Sequence, residues 1–101
     1  MTAFRPVARV DDLPRGTLRA VEVDGTGVLL ARVGDDVYAL EPECRHLQGP
    51  LAEGVLEDCV LTCPWHGWQY DVRTGENEFD RAIALASYAV RVEDGVVSVA
   101  L

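Results

Sequence analysis

The chain has 101 residues, of which 49% are hydrophobic and 26% charged, as expected for one globular domain with a modest core. Its formal net charge of −8 argues against nucleic-acid binding, because phosphate backbones require a basic surface. No apolar run approaches the roughly 18 residues of a membrane span. The start, "MTAFRPVARVDD", lacks the features of a secretory signal. We therefore expect a single cytoplasmic domain over residues 1–101, with no membrane contact.

The chain reads in order as short β segments separated by turns. "DDLP" suits a brief helical start, and "TLRAVEV" and "GVLLARV" flank the hairpin signal "DGT". "GDD" then leads into "DVYALE", "AEGVLE" suits one helical turn, and "DG" joins "YAVRVE" to "VVSVAL". The strands are predicted at 17–23, 27–33, 36–41, 88–93 and 96–101. This pattern predicts an all-β protein, a small sandwich or barrel.

Residues 42–75 lie between these hairpins and hold all the histidines and cysteines of the chain. The stretch is rich in proline and glycine, which is typical of loops carried on a rigid frame. An odd number of cysteines in a cytoplasmic protein indicates metal or core roles rather than disulfides. Cys59 has no ligand-like neighbour and shares the alternation of Leu61 and Cys63, which favours a buried strand thiol.

The other two cysteines form matched pairs with the histidines. Cys44 and His46 are separated by one residue, and Cys63 and His66 by two. A structural zinc site usually takes like ligands in pairs, and a Cys–His nucleophile needs only one such pair. Two bridged irons, one with two thiolates and one with two imidazoles, fit mixed pairs best. Zinc remains the alternative.

The segments "CRHLQGPL" and "CPWHGWQYDVRTGE" resemble the two cluster-binding loops of the Rieske family. The resemblance covers the whole chain and implies an antiparallel β-sandwich base with a small β cluster-binding subdomain. It also implies a [2Fe-2S] cluster in which Cys44 and Cys63 bind one iron and His46 and His66 bind the other. The residues predicted to surround these ligands are Leu47, Gly49, Pro64, Trp65, Gly67, Trp68 and Tyr70.

Four positions bear on which kind of Rieske protein the chain resembles. Gly49 and Trp65 stand where Rieske subunits of cytochrome bc complexes carry a disulfide. Trp68 stands where those high-potential proteins carry a serine, and losing that donor predicts a potential near the low end of about −150 to +300 mV. Tyr70 matches their tyrosine; it either donates to a cysteine sulfur and raises the potential, or simply packs in a strand.

Two further positions bear on the surroundings of the cluster. A third, proline-containing loop often shields the cluster in this family, but "ENEFDRAIALASY" has no proline, so Phe79 or Ile83 is expected to cover it or to lie in the core. Leu47 and Trp65 are expected to flank the histidines and offer an apolar docking surface. Arg45 and Gln48 are expected to be solvated.

A low-potential Rieske protein of this size resembles the soluble ferredoxins of bacterial aromatic-ring dioxygenase systems. That implies a non-catalytic one-electron carrier between an NAD(P)H-dependent flavoprotein reductase and a terminal oxygenase. The acidic charge suits transient docking, and we expect a monomer. The alternatives are the small subunit of an NAD(P)H nitrite reductase, a zinc-stabilised interaction module, or a ferredoxin that serves a monooxygenase.

Overall fold

The computed structural model describes residues 3–45, 49–65 and 67–101. The regular structure in these ranges is β-strand apart from two single 3-10 turns, at Val10–Asp12 and Leu51–Glu53. The strands are β1 Arg5–Arg9, β2 Leu18–Val23, β3 Thr26–Val33, β4 Asp36–Leu40, β5 Val55–Glu57, β6 Val60–Thr62, β7 Gln69–Asp71, β8 Ser87–Glu93 and β9 Val96–Ala100. The all-β prediction is confirmed.

The strands form two antiparallel sheets. The base sheet has the order β1-β9-β8-β4-β3-β2, and the small sheet has the order β5-β6-β7. The base sheet curls so that its two ends approach each other, and Arg5 Nε in β1 lies 3.3 Å from a carboxylate oxygen of Asp24 in the β2–β3 turn. The two sheets correspond to the β-sandwich base and the small β subdomain that the resemblance implied.

The predicted hairpins are confirmed, and their turns explain them. Asp24 and Gly25 both have positive φ, 51° and 83°, as do Asp94 and Gly95, at 52° and 76°. Such turns match the right-handed twist of the flanking strands, and Asp-Gly adopts them readily. The "DDLP" expectation is met by the first 3-10 turn, whereas "AEGVLE" divides between the second 3-10 turn and β5.

Strand β3 is buried on both faces and therefore belongs to two cores. Val28 and Leu30 enter the base core, whereas Leu29 and Ala31 enter the cysteine core between the two sheets. The base core comprises Leu13, Val23, Val28, Leu30, Val37, Ala39, Val97 and Val99. The cysteine core comprises Leu29, Ala31, Leu40, Cys44, Leu51, Leu61, Cys63, Tyr70, Val72 and Leu85. The small sheet is thus packed onto the base through β3 and β4.

The prediction for Cys59 was wrong. It lies in the turn between β5 and β6, is half-buried, and packs against the cysteine core from its edge. Asp58 before it has φ 52°, so the chain reverses there instead of continuing as a strand. The alternation that connected Cys59 with Leu61 and Cys63 therefore spans a turn.

No helix among the described residues has the length and apolarity to cross a membrane.

Candidate metal centre

Two of the four predicted ligands, Cys44 and Cys63, meet in the cysteine core. Each is only 1% exposed, and neither is in a disulfide. Burial raises the pKa of the Cys63 thiol, and a hydrogen bond with the Cys44 sulfur raises it further. The two sulfurs, nineteen residues apart in sequence, therefore face one another. The other two predicted ligands, His46 and His66, lie outside the described residues, as does Leu47.

The two cysteines begin loops of the same construction. The Cys44 N–H donates to the Gly49 carbonyl at 2.8 Å, and the Cys63 N–H donates to the Trp68 carbonyl at 2.8 Å. Each bond joins residues five apart and closes the loop at its base. The first loop is also held by an antiparallel bridge between Glu43 and Pro50. Each loop thus begins with one of the two cysteines and is closed in the same way.

Gly49 marks the closest approach of the two loops. A Cβ atom at this position would lie 2.8 Å from Cys63 Sγ and 3.3 Å from the Cβ of Trp65. Only glycine fits there without displacing its neighbours. Gly49 and Trp65 are thus adjacent, as expected from the resemblance, in which these two positions correspond to a disulfide of the cytochrome bc subunits. With no cysteine at either position, these loops are not crosslinked there.

Tyr70 contributes a hydrogen bond to the Cys44 sulfur. It is fully buried, and its hydroxyl oxygen lies 3.1 Å from Cys44 Sγ. The backbone N–H of Arg45 donates to the same oxygen at 3.2 Å. Burial and then the hydrogen bond with Cys44 raise the pKa of Tyr70, so the hydroxyl keeps its proton and can donate it towards the sulfur. Of the two alternatives left open for Tyr70, the structure supports the contact with a cysteine sulfur, although the residue also packs within strand β7.

The donors around the two sulfurs fit a pair of metal-bound thiolates. Cys63 Sγ accepts from the Trp65 N–H at 3.4 Å, and Cys44 Sγ faces the Tyr70 hydroxyl. A buried thiolate needs compensating charge and hydrogen bonds, because burial alone disfavours the charged form. The N–H and O–H donors supply the hydrogen bonds, and a metal ion would supply the charge. The pocket therefore suits a centre with two thiolate ligands.

Three of the remaining predicted neighbours, Pro64, Trp65 and Gly67, are exposed, whereas Trp68 packs against the cysteine core. Pro64 and Gly67 are exposed, and Gly67 has φ 74°, which favours glycine at that turn. Trp65 is 47% exposed. Trp68 is half-buried and packs edge to face on Phe79, with ring centroids 5.0 Å apart.

The structure decides between the two residues proposed to cover the centre. Phe79 is 66% exposed and packs on Trp68, so it lies at the surface. Ile83 is half-buried against the cysteine core, to which Leu85 also belongs. Of the two, Ile83 is therefore the one placed beside the core that holds the cysteines.

Sequence reasoning missed two polar residues next to the site. Arg45 is exposed, as expected, but its Nε donates to the Ala84 carbonyl at 3.1 Å and its Nη2 pairs with Glu41 at 2.9 Å. Asn77 was not considered; it is 1% exposed and caps two backbone N–H groups. An Asn at the start of a turn is the sequence signal that was available for Asn77, whereas the pairing of Glu41 with Arg45 lies outside any helix and had no such signal.

Comparisons with known proteins agree with this geometry. The Rieske [2Fe-2S] domain family matches residues 3–89. Ferredoxin CarAc of Metapseudomonas resinovorans is 38% identical over 96 residues, which cover 93% of this chain and 90% of that protein. Apoptosis-inducing factor 3 of Mus musculus is 35% identical over 94 residues, which cover 92% of this chain, but the chain spans only 16% of the length of that protein.

Solved structures show the same fold. A chain in the complex of reduced oxygenase and oxidized ferredoxin in carbazole 1,9a-dioxygenase is 35% identical, with a TM-score of 0.88 and coverage of 96% of this chain and 92% of that one. A structure described as an NADH-dependent nitrite reductase small subunit from Mycobacterium tuberculosis has a TM-score of 0.91 at 21% identity, covering 100% and 96%. The second likeness concerns the fold alone.

The chain belongs to the Rieske [2Fe-2S] domain family. Its cofactor is accordingly a Rieske-type [2Fe-2S] cluster, in which thiolates bind one iron and imidazoles the other. The buried pair of cysteines, with a hydrogen-bond donor directed at each sulfur, fits the thiolate side of such a cluster.

Proposed function

We propose that this chain is a Rieske ferredoxin, a one-electron carrier between an NAD(P)H-dependent flavoprotein reductase and a terminal oxygenase of the aromatic-ring dioxygenase type. Cys44 and Cys63 bind one iron, and His46 and His66 bind the other. The observation that carries this assignment is the meeting of the two buried cysteines under the hydroxyl of Tyr70. The similarity to ferredoxin CarAc supports the carrier role.

The bound cluster supplies the redox chemistry by taking up and releasing one electron. The protein sets the ease of reduction through its hydrogen bonds, since a donor to a sulfur stabilises the more negative, reduced state. Tyr70 and the Trp65 N–H act in this way. With Trp68 in place of a serine, one side-chain hydroxyl donor of the high-potential proteins is missing, so a low potential is expected.

The partners follow from charge and from the exposed surface of the loops. The net charge of −8 favours short encounters with basic surfaces. Trp65, 47% exposed, and Phe79, 66% exposed, provide apolar area near the cysteine pocket. An oxygenase partner is supported by the related ferredoxin in the carbazole 1,9a-dioxygenase complex. The carrier acts as a monomer in the cytoplasm, where Cys59 stays reduced.

Catalysis by the chain itself does not fit its residues. A mononuclear oxygenase iron needs two histidines and a carboxylate, and both histidines of this chain serve the cluster. A nitrite reductase small subunit shares the fold, but such subunits often lack some cluster ligands, whereas all four are present here. A stable complex with a large sirohaem-containing chain would favour that alternative.

The test is an electron paramagnetic resonance spectrum of the purified protein before and after dithionite, with iron and zinc quantified on the same sample. We expect two irons per chain, a silent oxidised form and a rhombic reduced signal of low average g. The reduced protein should then pass its electron to a Rieske oxygenase. One zinc and no signal would replace the proposal with a zinc-stabilised interaction module. If the cluster is present but no Rieske oxygenase oxidises it, the proposed electron acceptor is wrong.

A further inference from the structure

The segment 75–86, between β7 and β8, borders the cysteine core. The Leu85 N–H donates to the Gly75 carbonyl at 2.8 Å, and the Asn77 N–H donates to the Ile83 carbonyl at 2.8 Å, so the segment folds back on itself. Leu85 is 2% exposed within the core that holds both cysteines, and Ile83 packs against that core. The conformation of the segment therefore decides whether these apolar side chains stay beside the cysteines.

Asn77 organises the tip of this segment from within. Its Oδ1 accepts from the N–H groups of Phe79, at 3.0 Å, and Asp80, at 3.1 Å. The Asp80 carbonyl in turn accepts from the Ile83 N–H at 3.0 Å. Asn77 thus begins a series of bonds that ends at Ile83, and a side chain without an acceptor could not begin it.

Its position places Asn77 next to the hydrogen bond on the cysteine sulfur. Asn77 and Tyr70 form an antiparallel bridge, so their side chains are direct cross-strand neighbours on one face. Among the residues that the structure describes, Asn77 is the one polar side chain that is fully buried, being 1% exposed. Its Nδ2 group is also buried and has no hydrogen-bond partner among those residues. An unsatisfied buried donor destabilises the fold. The two backbone N–H groups that Oδ1 accepts from therefore explain why an asparagine stands at this position.

The contacts on the outer side of the segment are weaker. Arg45 donates to the Ala84 carbonyl at 3.1 Å, and Glu41 accepts from the Ala86 N–H at 2.7 Å. The Arg45 side chain is 52% exposed, and solvent weakens ion pairs and hydrogen bonds at such a site. The two bonds of Asn77 are part-buried because their acceptor belongs to a side chain that is 1% exposed, so water weakens them less and they are the stronger restraint.

We propose that Asn77 is a positioning residue that holds the segment 75–86 closed over the cysteine pocket, so that Ile83 and Leu85 limit access of water and dioxygen to the cluster. The inference rests on the proposed cluster. The residue takes the place of a rigid proline: its amide oxygen fixes the backbone of the tip where no proline is present. The competing explanation is that Asn77 adds only to global stability.

The test compares the lifetime of the cluster in air with local backbone exchange. In Asn77→Ala we expect bleaching of the visible absorbance to become about tenfold faster, as for two hydrogen bonds lost from the closed state. The amides of Phe79, Asp80 and Ile83 should exchange with deuterium faster by a similar factor. Asn77→Asp, which keeps the acceptor oxygen, should restore protection. If Asn77→Ala does not fold, Asn77→Ser, with a shorter acceptor, should give an intermediate lifetime.

Val97→Ala is the matched control, because Val97 is fully buried in the base core, away from the cysteines. It should lower the global stability and leave the cluster lifetime unchanged. Equal acceleration in Asn77→Ala and Val97→Ala, or a wild-type lifetime in Asn77→Ala, would overturn the inference. A wild-type protein without iron would instead overturn the proposed function, and deuterium exchange would still test the role of Asn77 in closing the segment.

Discussion

The strands of the base sheet have five to eight residues, whereas each strand of the small sheet has three. The buried residues of the base core that the structure describes are all aliphatic, with Tyr88 packed against them at its edge. The cysteine core includes two thiols and a tyrosine whose hydroxyl faces one of them, with a buried asparagine beside that tyrosine. Apolar burial stabilises both regions, and we expect the small sheet to depend in addition on specific hydrogen bonds and on the bound cluster. Stability and redox function are therefore expected to respond to different substitutions.

Cys63→Ser separates the two regions most sharply. Replacing a thiolate ligand by a hydroxyl should abolish the cluster, so we expect almost no iron in the purified variant. Slow amide exchange should persist in the base sheet and be lost from the small sheet. Cys59→Ser is the control, because Cys59 lies in the β5–β6 turn and should leave the iron content unchanged. Full iron in Cys63→Ser would show that the ligand assignment is wrong.

Leu30→Ala tests the base alone. Leu30 is fully buried in the base core, so the cavity should lower the free energy of unfolding by about 2–5 kcal/mol. Denaturant unfolding measures this loss, and voltammetry should give an unchanged reduction potential. The adjacent Leu29 lies in the cysteine core, so Leu29→Ala should alter both the free energy of unfolding and the reduction potential. A shifted potential in Leu30→Ala would mean that the two regions are coupled more tightly than their cores indicate.

Tyr70→Phe tests the small region without removing a ligand. It deletes the hydroxyl that lies 3.1 Å from Cys44 Sγ. A hydrogen bond to a charged group, worth about 1.5–3 kcal/mol, corresponds to roughly 65–130 mV for one electron, so the potential should fall by that amount. Tyr38→Phe, at a half-buried tyrosine packed on the edge of the same core, is the control. An unchanged potential in Tyr70→Phe would show that Tyr70 serves packing alone.

Asp71→Asn should have the smallest effect. Hydrogen bonds from Arg73 lower the pKa of Asp71 in the folded state, so its contribution is present above the ordinary pKa of the carboxyl and is lost as the pH falls through the lowered pKa. Since the Arg73 side chain is 59% exposed, the loss in unfolding free energy at pH 7 should be under about 1 kcal/mol. Denaturant titrations of both proteins should converge as the pH falls below 4, and a constant difference would contradict this origin.

The features predicted correctly are those set by neighbours in sequence. The Asp-Gly pairs at 24–25 and 94–95 determine hairpins locally, and the alternation of the flanking strands is long enough to detect. The metal ligands were predicted from the spacing of two short motifs. The thiolate half of that prediction agrees with the convergence of Cys44 and Cys63 in one core, whereas His46 and His66 remain a prediction.

The features that were missed depend on contacts between distant residues. Strands of three residues are too short to show clear alternation, so β5 and β7 were not predicted, and the strand inferred around Cys59, Leu61 and Cys63 proved to be β6, which begins after Cys59. The turn at Asp58 broke the pattern that misplaced Cys59. The contact of Arg45 with Ala84 spans 39 positions, so local patterns carry no trace of it. The contact of Tyr70 with Cys44 spans 26 positions and was raised only through the family resemblance, as one of two alternatives.

Strand β3 gives this molecule a practical property for protein engineering. Its successive side chains alternate between the base core and the cysteine core. A library that varies only Val28 and Leu30 would therefore adjust thermal tolerance alone, whereas one that varies Leu29 and Ala31 would adjust the surroundings of the cluster together with stability. A designer could therefore tune the cluster at Leu29 and Ala31 and then recover the lost stability at Val28 and Leu30 along the same stretch of backbone, whereas changing all four positions at once would confound the two traits.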